Sequence, residues 1–325
     1  MSKISVGLDL GMVATKLWGD EGGLQVLSQV ASDGTRHLSD GIVGLKTRAR
    51  PMRVQFEMGS FYVGDRAHEY GRPVENLDFD RLTGAPEMRA LFYGSLAQYQ
   101  DVYGPFDGPI SLMAGLPLQM MMGDGASAYQ EGVKKWLKGA HRFDVDGSSY
   151  EVEIEAARLT SQPVGALFDY VVEGGEIQRE RAHAMLDEVG VISVGFNTLE
   201  LLVVKNQGAV ERFTAGNTVG VRRLLELINR DGLYSLVELD AMLRANRLRD
   251  EVKLALPIWT REVNGEIEKR WGGSYRRFVR VLVVGGGALL LKEALTGQFN
   301  GKAWVPDEPV LSIARGLWKL AGLRK

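Results

Sequence analysis

Four short stretches of this 325-residue chain carry residue types suited to holding and cutting phosphates. The first is Asp9-Leu10-Gly11-Met12-Val13-Ala14-Thr15-Lys16. A glycine turn between two strands can aim backbone N–H groups at a phosphate. Lys16 adds positive charge, and Asp9 suits Mg²⁺, which dehydrates reluctantly and is held largely through waters. A plain hairpin with a surface Asp and Lys explains the same residues about equally well. The second stretch, Ser193-Val194-Gly195-Phe196-Asn197-Thr198-Leu199-Glu200, reads as another loop of this kind, or as a simple turn at Phe196-Asn197. Glu200 is expected to lie too far along its strand to act beside Ser193. In the third, the apolar run Val281–Val284 leads into Gly285-Gly286-Gly287-Ala288. Glycine lets the backbone approach a base or ribose closely, and a helix start favours phosphate. A dinucleotide fingerprint fits poorly there, because no later strand brings an acidic residue. The fourth is Thr160-Ser161-Gln162-Pro163, where Gln162 could orient an attacking water. A helix start capped by Ser161, with Pro163 in the first turn, accounts for two of those residues and leaves Gln162 unexplained.

The elements that must position these stretches follow from hydrophobic spacing. Strands are expected at Ile4–Leu10, Thr15–Trp18, Val26–Val30, Val54–Phe56, Phe61–Val63 and Ile110–Ala114. Arg142–Val145 and Tyr150–Ile154 pair around Asp146-Gly147, and Val191–Val194, Leu199–Val204 and Val281–Val284 complete the set. Helices are expected at Glu87–Tyr103, Ala126–Leu137, Val164–Val172 and Ile313–Leu320, with a mostly helical stretch from Val219 to about Ile267. Residues 32–53 read as loop. Alternating strands and helices argue an α/β fold. Asp9-Leu10-Gly11 with Thr15, and Ser193-Val194-Gly195 with Thr198, sit in similar strand–turn–strand units, which suggests a duplicated domain around a cleft.

Composition narrows the class. Apolar residues make up 45% and charged residues 25%, an ordinary globular balance, and the length suits about two domains. A net charge of −2 argues against direct binding to nucleic acid. Without cysteine there is no disulfide and no thiolate metal site, and the four histidines (His37, His68, His141, His183) lack metal-ligand spacing. No apolar run reaches the ~20 residues of a membrane span, and the N-terminus has no signal-like segment, so a cytoplasmic location is expected. Ile313, Leu317, Trp318 and Leu320 against Arg315, Lys319, Arg324 and Lys325 make a basic amphipathic stripe. Packing of its apolar side inside the fold outweighs membrane attachment.

The order of the four stretches resembles the actin, sugar-kinase and heat-shock-chaperone superfamily. Phosphate loop one comes first, then a catalytic side chain, phosphate loop two and an adenosine loop. Phe61-Tyr62-Val63-Gly64-Asp65-Arg66-Ala67, Gly115-Leu116-Pro117, Gln162-Pro163-Val164-Gly165-Ala166 and the tail Pro309–Leu317 resemble segments of ParM/StbA-type plasmid-segregation proteins. That resemblance implies an α/β actin-like fold with two related domains around a nucleotide cleft, each a mixed sheet flanked by helices. The first would take 1–190 and 310–325, with a small subdomain at about 25–85. The second would take 191–309, with a helical insert at about 219–275. It further implies ATP or GTP with Mg²⁺ held through Asp9. Gly11, Met12, Val13, Thr15, Lys16, Ser193, Gly195, Phe196, Asn197, Thr198, Gly285, Gly286, Gly287 and Ala288 would surround the nucleotide. Slow hydrolysis would use Gln162 and Asp9, and the chain would form nucleotide-dependent filaments with itself, reaching plasmid or phage DNA through an adaptor. In this superfamily loop two usually begins with Asp; here Ser193 stands in that place, which puts hydrolysis in question and keeps a non-hydrolysing sensor or scaffold in view. A small-molecule kinase of the same fold would need an acceptor site with an Asp base, and none is evident.

Overall fold

The first strand, β1 (Ile4–Leu10), is buried along most of its length because it sits inside a sheet covered on both faces, and its near-continuous apolar run reflects that. The structure is a computed structural model describing residues 4–34, 49–74 and 78–323. Residues 35–48 of the expected 32–53 loop, together with His37, Arg324 and Lys325, lie outside the described residues.

From β1 the chain turns back through β2 (Ala14–Gly19) and β3 (Gly22–Leu27), both antiparallel. The single strand expected over Val26–Val30 is broken. At Ser28 the chain leaves β2, whose neighbouring Val13 carbonyl accepts the Ser28 N–H. It resumes as β4 (Val30–Ser32), which pairs instead with β6 (Gly59–Val63). Strands β5 (Met52–Phe56) and β7 (Arg72–Pro73) complete this small subdomain. Helix α1 (Pro86–Tyr103) then covers the sheet and leads to β8 (Ile110–Leu116), parallel to β1. The short α2 (Leu118–Met121) and α3 (Ala126–Leu137) precede the hairpin of β9 (Gly139–Val145) and β10 (Ser148–Ser161). The expected Tyr150–Ile154 strand is thus far longer. Its first half pairs with β9 and its second, after a bulge between Ile154 and Ala156, runs parallel to β8. β10 thereby joins the two parts of a ten-stranded sheet ordered β3-β2-β1-β8-β10-β9-β5-β6-β4-β7.

The second half repeats the plan. Helix α4 (Gln162–Val171), a small ribbon of β11 (Val172–Glu173) and β12 (Glu176–Ile177), and α5 (His183–Leu186) lead into β13 (Val189–Val194). β13 forms a hairpin with β14 (Leu199–Lys205), edged by the short β15 (Gly208–Ala209) and β16 (Ala215–Asn217). A helical group follows: α6 (Val221–Ile228), α7 (Leu236–Arg244) and α8 (Arg249–Trp271). Ser235 and Glu238 start α7 with a reciprocal capping box. β17 (Arg280–Val284) returns parallel to β13, followed by α9 (Ala288–Gln298), β18 (Ala303–Trp304) and α10 (Ser312–Gly322). An antiparallel hairpin flanked by a parallel strand, β1–β2 with β8 and β13–β14 with β17, therefore occurs in both sheets.

Helices α4 and α10 fill the seam between the sheets, where Leu167, Tyr170, Leu202, Val284, Ile313 and Leu317 form a shared core. The apolar side of α10 is thus inside the protein, against the membrane alternative. No helix among the described residues is long and apolar enough to cross a membrane. The two helices cross at Gly165 and Gly316, where a methyl group on Gly316 would overlap the Gly165 carbonyl. Beside the crossing, buried Asp169 accepts from Ser312 Oγ (2.6 Å), Arg315 Nε (2.7 Å) and Lys319 Nζ (2.9 Å). Burial opposes its charge, but Arg315, Lys319 and Ser312 outweigh that and hold its carboxyl below the usual range. Gly316→Val should destabilise the protein by about 3 kcal/mol, since overpacking here meets backbone that cannot rotate away. An unchanged denaturant midpoint would show that the helices can separate at no cost.

Candidate functional site

The two hairpin turns face each other across one cavity of about 360 Å³. Asp9, Gly11, Met12, Val13 and Lys16 line it from one side, and Ser193, Gly195, Phe196, Asn197 and Thr198 from the other. Gln162, Gly285 and Gly286 complete the expected set that reaches it. The first loop is fastened by the Ser28 hydroxyl, which donates to the Gly11 carbonyl at 3.1 Å. The second closes on itself through the Gly195 N–H to the Thr198 carbonyl at 2.8 Å. Its outward carbonyls, on Gly195, Phe196 and Asn197, take the N–H groups of Val221, Arg222 and Gly220 at the start of α6.

Three expected residues do not line this cavity. Thr15 is fully buried, because alternation along β2 turns Ala14 and Lys16 to the cleft and Thr15 away from it. Gly287 donates its N–H to the Val194 carbonyl at 2.9 Å, and a side chain there would strike Val194. It packs helix against strand. Ala288 is fully buried as the first residue of α9. Gly285 has a φ of 90° and sits against the Val194 backbone, so its glycine is conformational. Only Gly286 would aim a side chain into space with nothing within 4 Å.

At the floor, Asp9 is 2% exposed and doubly held. Lys16 Nζ donates to its Oδ2 at 3.0 Å, and Gln162 Nε2 donates to its Oδ1 at 2.6 Å. With that amide nitrogen engaged, the Gln162 carbonyl oxygen is the end available to a water. Ser161 does occupy the N-cap of α4, but its side chain makes no capping hydrogen bond, so the helix-start explanation covers less than its residue types suggested.

Glu200 corrects the expectation from the sequence. The β13–β14 register places it directly opposite Ser193, so the two side chains share one face of the sheet. It is fully buried, and its Oε1 accepts the Leu118 N–H at 2.6 Å, tying the second sheet to the start of α2. Its Oε2 has no hydrogen-bond partner among the described residues. Burial, reinforced by the nearby Asp9 charge and partly offset by the Leu118 N–H, pushes its carboxyl up to about 8. An acidic group therefore stands across the hairpin from the serine.

The sequence also left unassigned the apolar wall. Val221, Leu243, Leu289 and Leu290 line the cavity together with Asp240 and Arg244, which pair at 2.7 Å one helical turn apart. Only that i,i+4 spacing of opposite charges was visible in advance. The glycine at 286 and this wall suit a flat base. Mg²⁺ takes one or two carboxylates and keeps several waters; Asp9 lines the cavity and suits that role, whereas Glu200 is buried behind the hairpin and does not line it. No group of three or more His, Cys, Asp or Glu side chains placed to hold a metal ion occurs among the described residues.

Comparison with known proteins bears on the fold. Residues 7–165 match the family model for the N-terminal domain of actin-like proteins. The apo ParM protein of psk41 superposes with a TM-score of 0.76 at 16% identity, over 99% of this chain and 97% of that one. The chain has the actin-like fold. A 15-stranded ParM filament from Clostridium botulinum matches this actin-like chain with a TM-score of 0.77 at 18% identity, over 99% of both. Ta0583, an archaeal actin homolog solved in complex with ADP, matches with a TM-score of 0.73 at 17% identity, over 98% of this chain and 99% of its own. No curated protein matches the actin-like chain in sequence.

Proposed function

We propose that this actin-like protein binds ATP with Mg²⁺ between its two hairpin loops and assembles with further copies of itself into nucleotide-dependent filaments, hydrolysing ATP slowly. The observation that carries the reading is the convergence of both loops, Gln162 and the open glycine 286 on one cavity. The division into 1–190 with 310–325 and 191–309 belongs to the same proposal, the cavity lying between the two parts. ParM filaments and an ADP-bound homolog among the structural relatives support it. A role in positioning plasmid or phage DNA in the cytoplasm, through a DNA-binding adaptor, follows from the ParM likeness.

In this proposal Lys16 and the N–H groups of both loops take the phosphate oxygens. Asp9 would hold the hydrated ion, which when bound neutralises phosphate charge, and the buried Glu200 would add its carboxyl behind Asp9. Gln162 orients the attacking water; as a neutral amide it removes no proton, so hydrolysis is slow. Gln162→Ala should lower phosphate release about tenfold and leave ATP affinity nearly unchanged, since the amide acts on water. Equal release by variant and parent would reduce Gln162 to a brace for Asp9. The missing carboxylate at 193 favours a non-hydrolysing sensor as the second reading, and Glu200 across the hairpin weighs against it.

Assembly follows from closure. Nucleotide bound between the parts favours one relative orientation, and the polymer's preference for that state supplies the switch. Sedimentation velocity should show large species only with ATP and Mg²⁺. A monomer at all concentrations with both present would refute the filament reading.

A further inference from the structure

Two exposed patches lie at opposite ends of the second half of the molecule. Helix α8 buries Ala255, Trp259, Val263, Ile267 and Trp271 on one face and leaves Leu254, 78% exposed, and Ile258, 41% exposed, on the other. Its last residue, Trp271, packs on Phe278 and against Gly190 at the start of β13, far from the cleft. At 1.5 Å per residue the helix spans about 34 Å, so Leu254 lies at the cleft-mouth end, just after the cavity-lining residues of α7. The second set of exposed apolar residues falls within 173–187. Ile177 is 43% and Leu186 55% exposed there. Leu186 accepts the Asn206 N–H at the distal turn of the β13–β14 hairpin, the end away from the cavity.

Their charges are opposite. Between 247 and 261 four exposed basic residues, Arg247, Arg249, Lys253 and Arg261, outnumber Asp250 and Glu251. Between 173 and 187 four exposed acidic residues, Glu173, Glu176, Glu180 and Asp187, outnumber Arg179 and Arg181.

We propose that these two patches are the two halves of a head-to-tail contact between copies of this chain. Leu254 and Ile258 of one copy pack on the Ile177–Leu186 patch of the next, with the basic rim meeting the acidic one. This rests on the filament reading and specifies its contact. Different patches on opposite ends make a heterologous interface that does not close on itself, which yields an open polymer. Complementary rims steer and orient docking, while the apolar centre excludes water. The link to nucleotide is short. Asp240, Leu243 and Arg244 line the cavity, and Arg247 begins the basic rim three residues later, past the end of α7.

The test uses two double variants of the full chain: Leu254→Asn with Ile258→Asn, and Ile177→Asn with Leu186→Asn. All four positions are exposed, and unchanged ATP affinity by calorimetry shows that each variant is folded with its site intact. With ATP and Mg²⁺ each variant alone should raise the critical concentration for pelleting at least tenfold. Mixed in equal amounts they should give one-to-one dimers and nothing longer, because only one intact head meets one intact tail. The parent's critical concentration should rise with salt as the rims are screened. Pelleting of both variants like the parent overturns the proposal and leaves the filament reading standing. Dimers formed by either variant alone point to a self-complementary contact and overturn it as well. A parent that never pellets removes the filament reading, and this contact with it.

Discussion

Gly286→Leu should weaken ATP binding at least about 100-fold, a loss of roughly 2.7 kcal/mol, while the protein stays folded. The three glycines after β17 differ in what they do. A side chain at 285 would strike the Val194 backbone, and one at 287 would strike the Val194 side chain. Substituting either tests packing. At 286 a Cβ meets nothing within 4 Å and φ is not left-handed, so a leucine enters only the space assigned to the nucleotide. Calorimetry on the folded variant decides the matter. Parent-like affinity would mean that the ligand does not lie over this glycine.

Glu200→Gln should change both the rate and the pH dependence. Its carboxyl, pushed up to about 8, stays protonated in the nucleotide-free fold through neutral pH, whereas in the unfolded chain it ionises from its ordinary value of 4.5. Folding therefore retains a proton between those values. The stability this carboxyl contributes is full below about 4.5 and is lost progressively as pH rises toward 8. Glutamine can accept the Leu118 N–H without that proton. The variant should match the parent near pH 5 and melt about 5 °C higher near pH 8, without nucleotide. Parallel melting curves for the two proteins would place the Glu200 carboxyl in a solvated setting. With ATP and Mg²⁺ the same variant should release phosphate about a hundredfold more slowly, because the acidic group opposite Ser193 is gone. Ser193→Asp should bring no comparable gain. It would set a carboxylate directly across from the buried Glu200 carboxyl, and that charge would hold Glu200 still more firmly in its protonated form.

The strands that hold the site were legible because both faces of β1, β8, β13 and β17 are buried and read as apolar runs. The turns at Gly11 and Phe196-Asn197 were legible from glycine and asparagine. What escaped depends on register and tertiary packing. Glu200 is seven residues from Ser193 along the chain, yet the hairpin folds it back to the opposite position. Thr15 belongs to a chemically suggestive stretch, but its place in the strand alternation turns it into the core. Asp240, Leu243 and Arg244 reach the cavity only because α7 folds over it, and helical periodicity does not say which neighbour a helix meets. The switch of pairing partner between β3 and β4 was hidden because Val26 and Val30 are both buried, in different parts of the sheet.

Electron microscopy of the purified parent, alone and with ATP and Mg²⁺, tests the central claim most directly. Filaments that appear with ATP and Mg²⁺, are absent without them and do not form with Gly286→Leu are the expected result. Dispersed particles under every condition, from protein that binds ATP, would contradict nucleotide-dependent assembly and leave a nucleotide-binding sensor in its place.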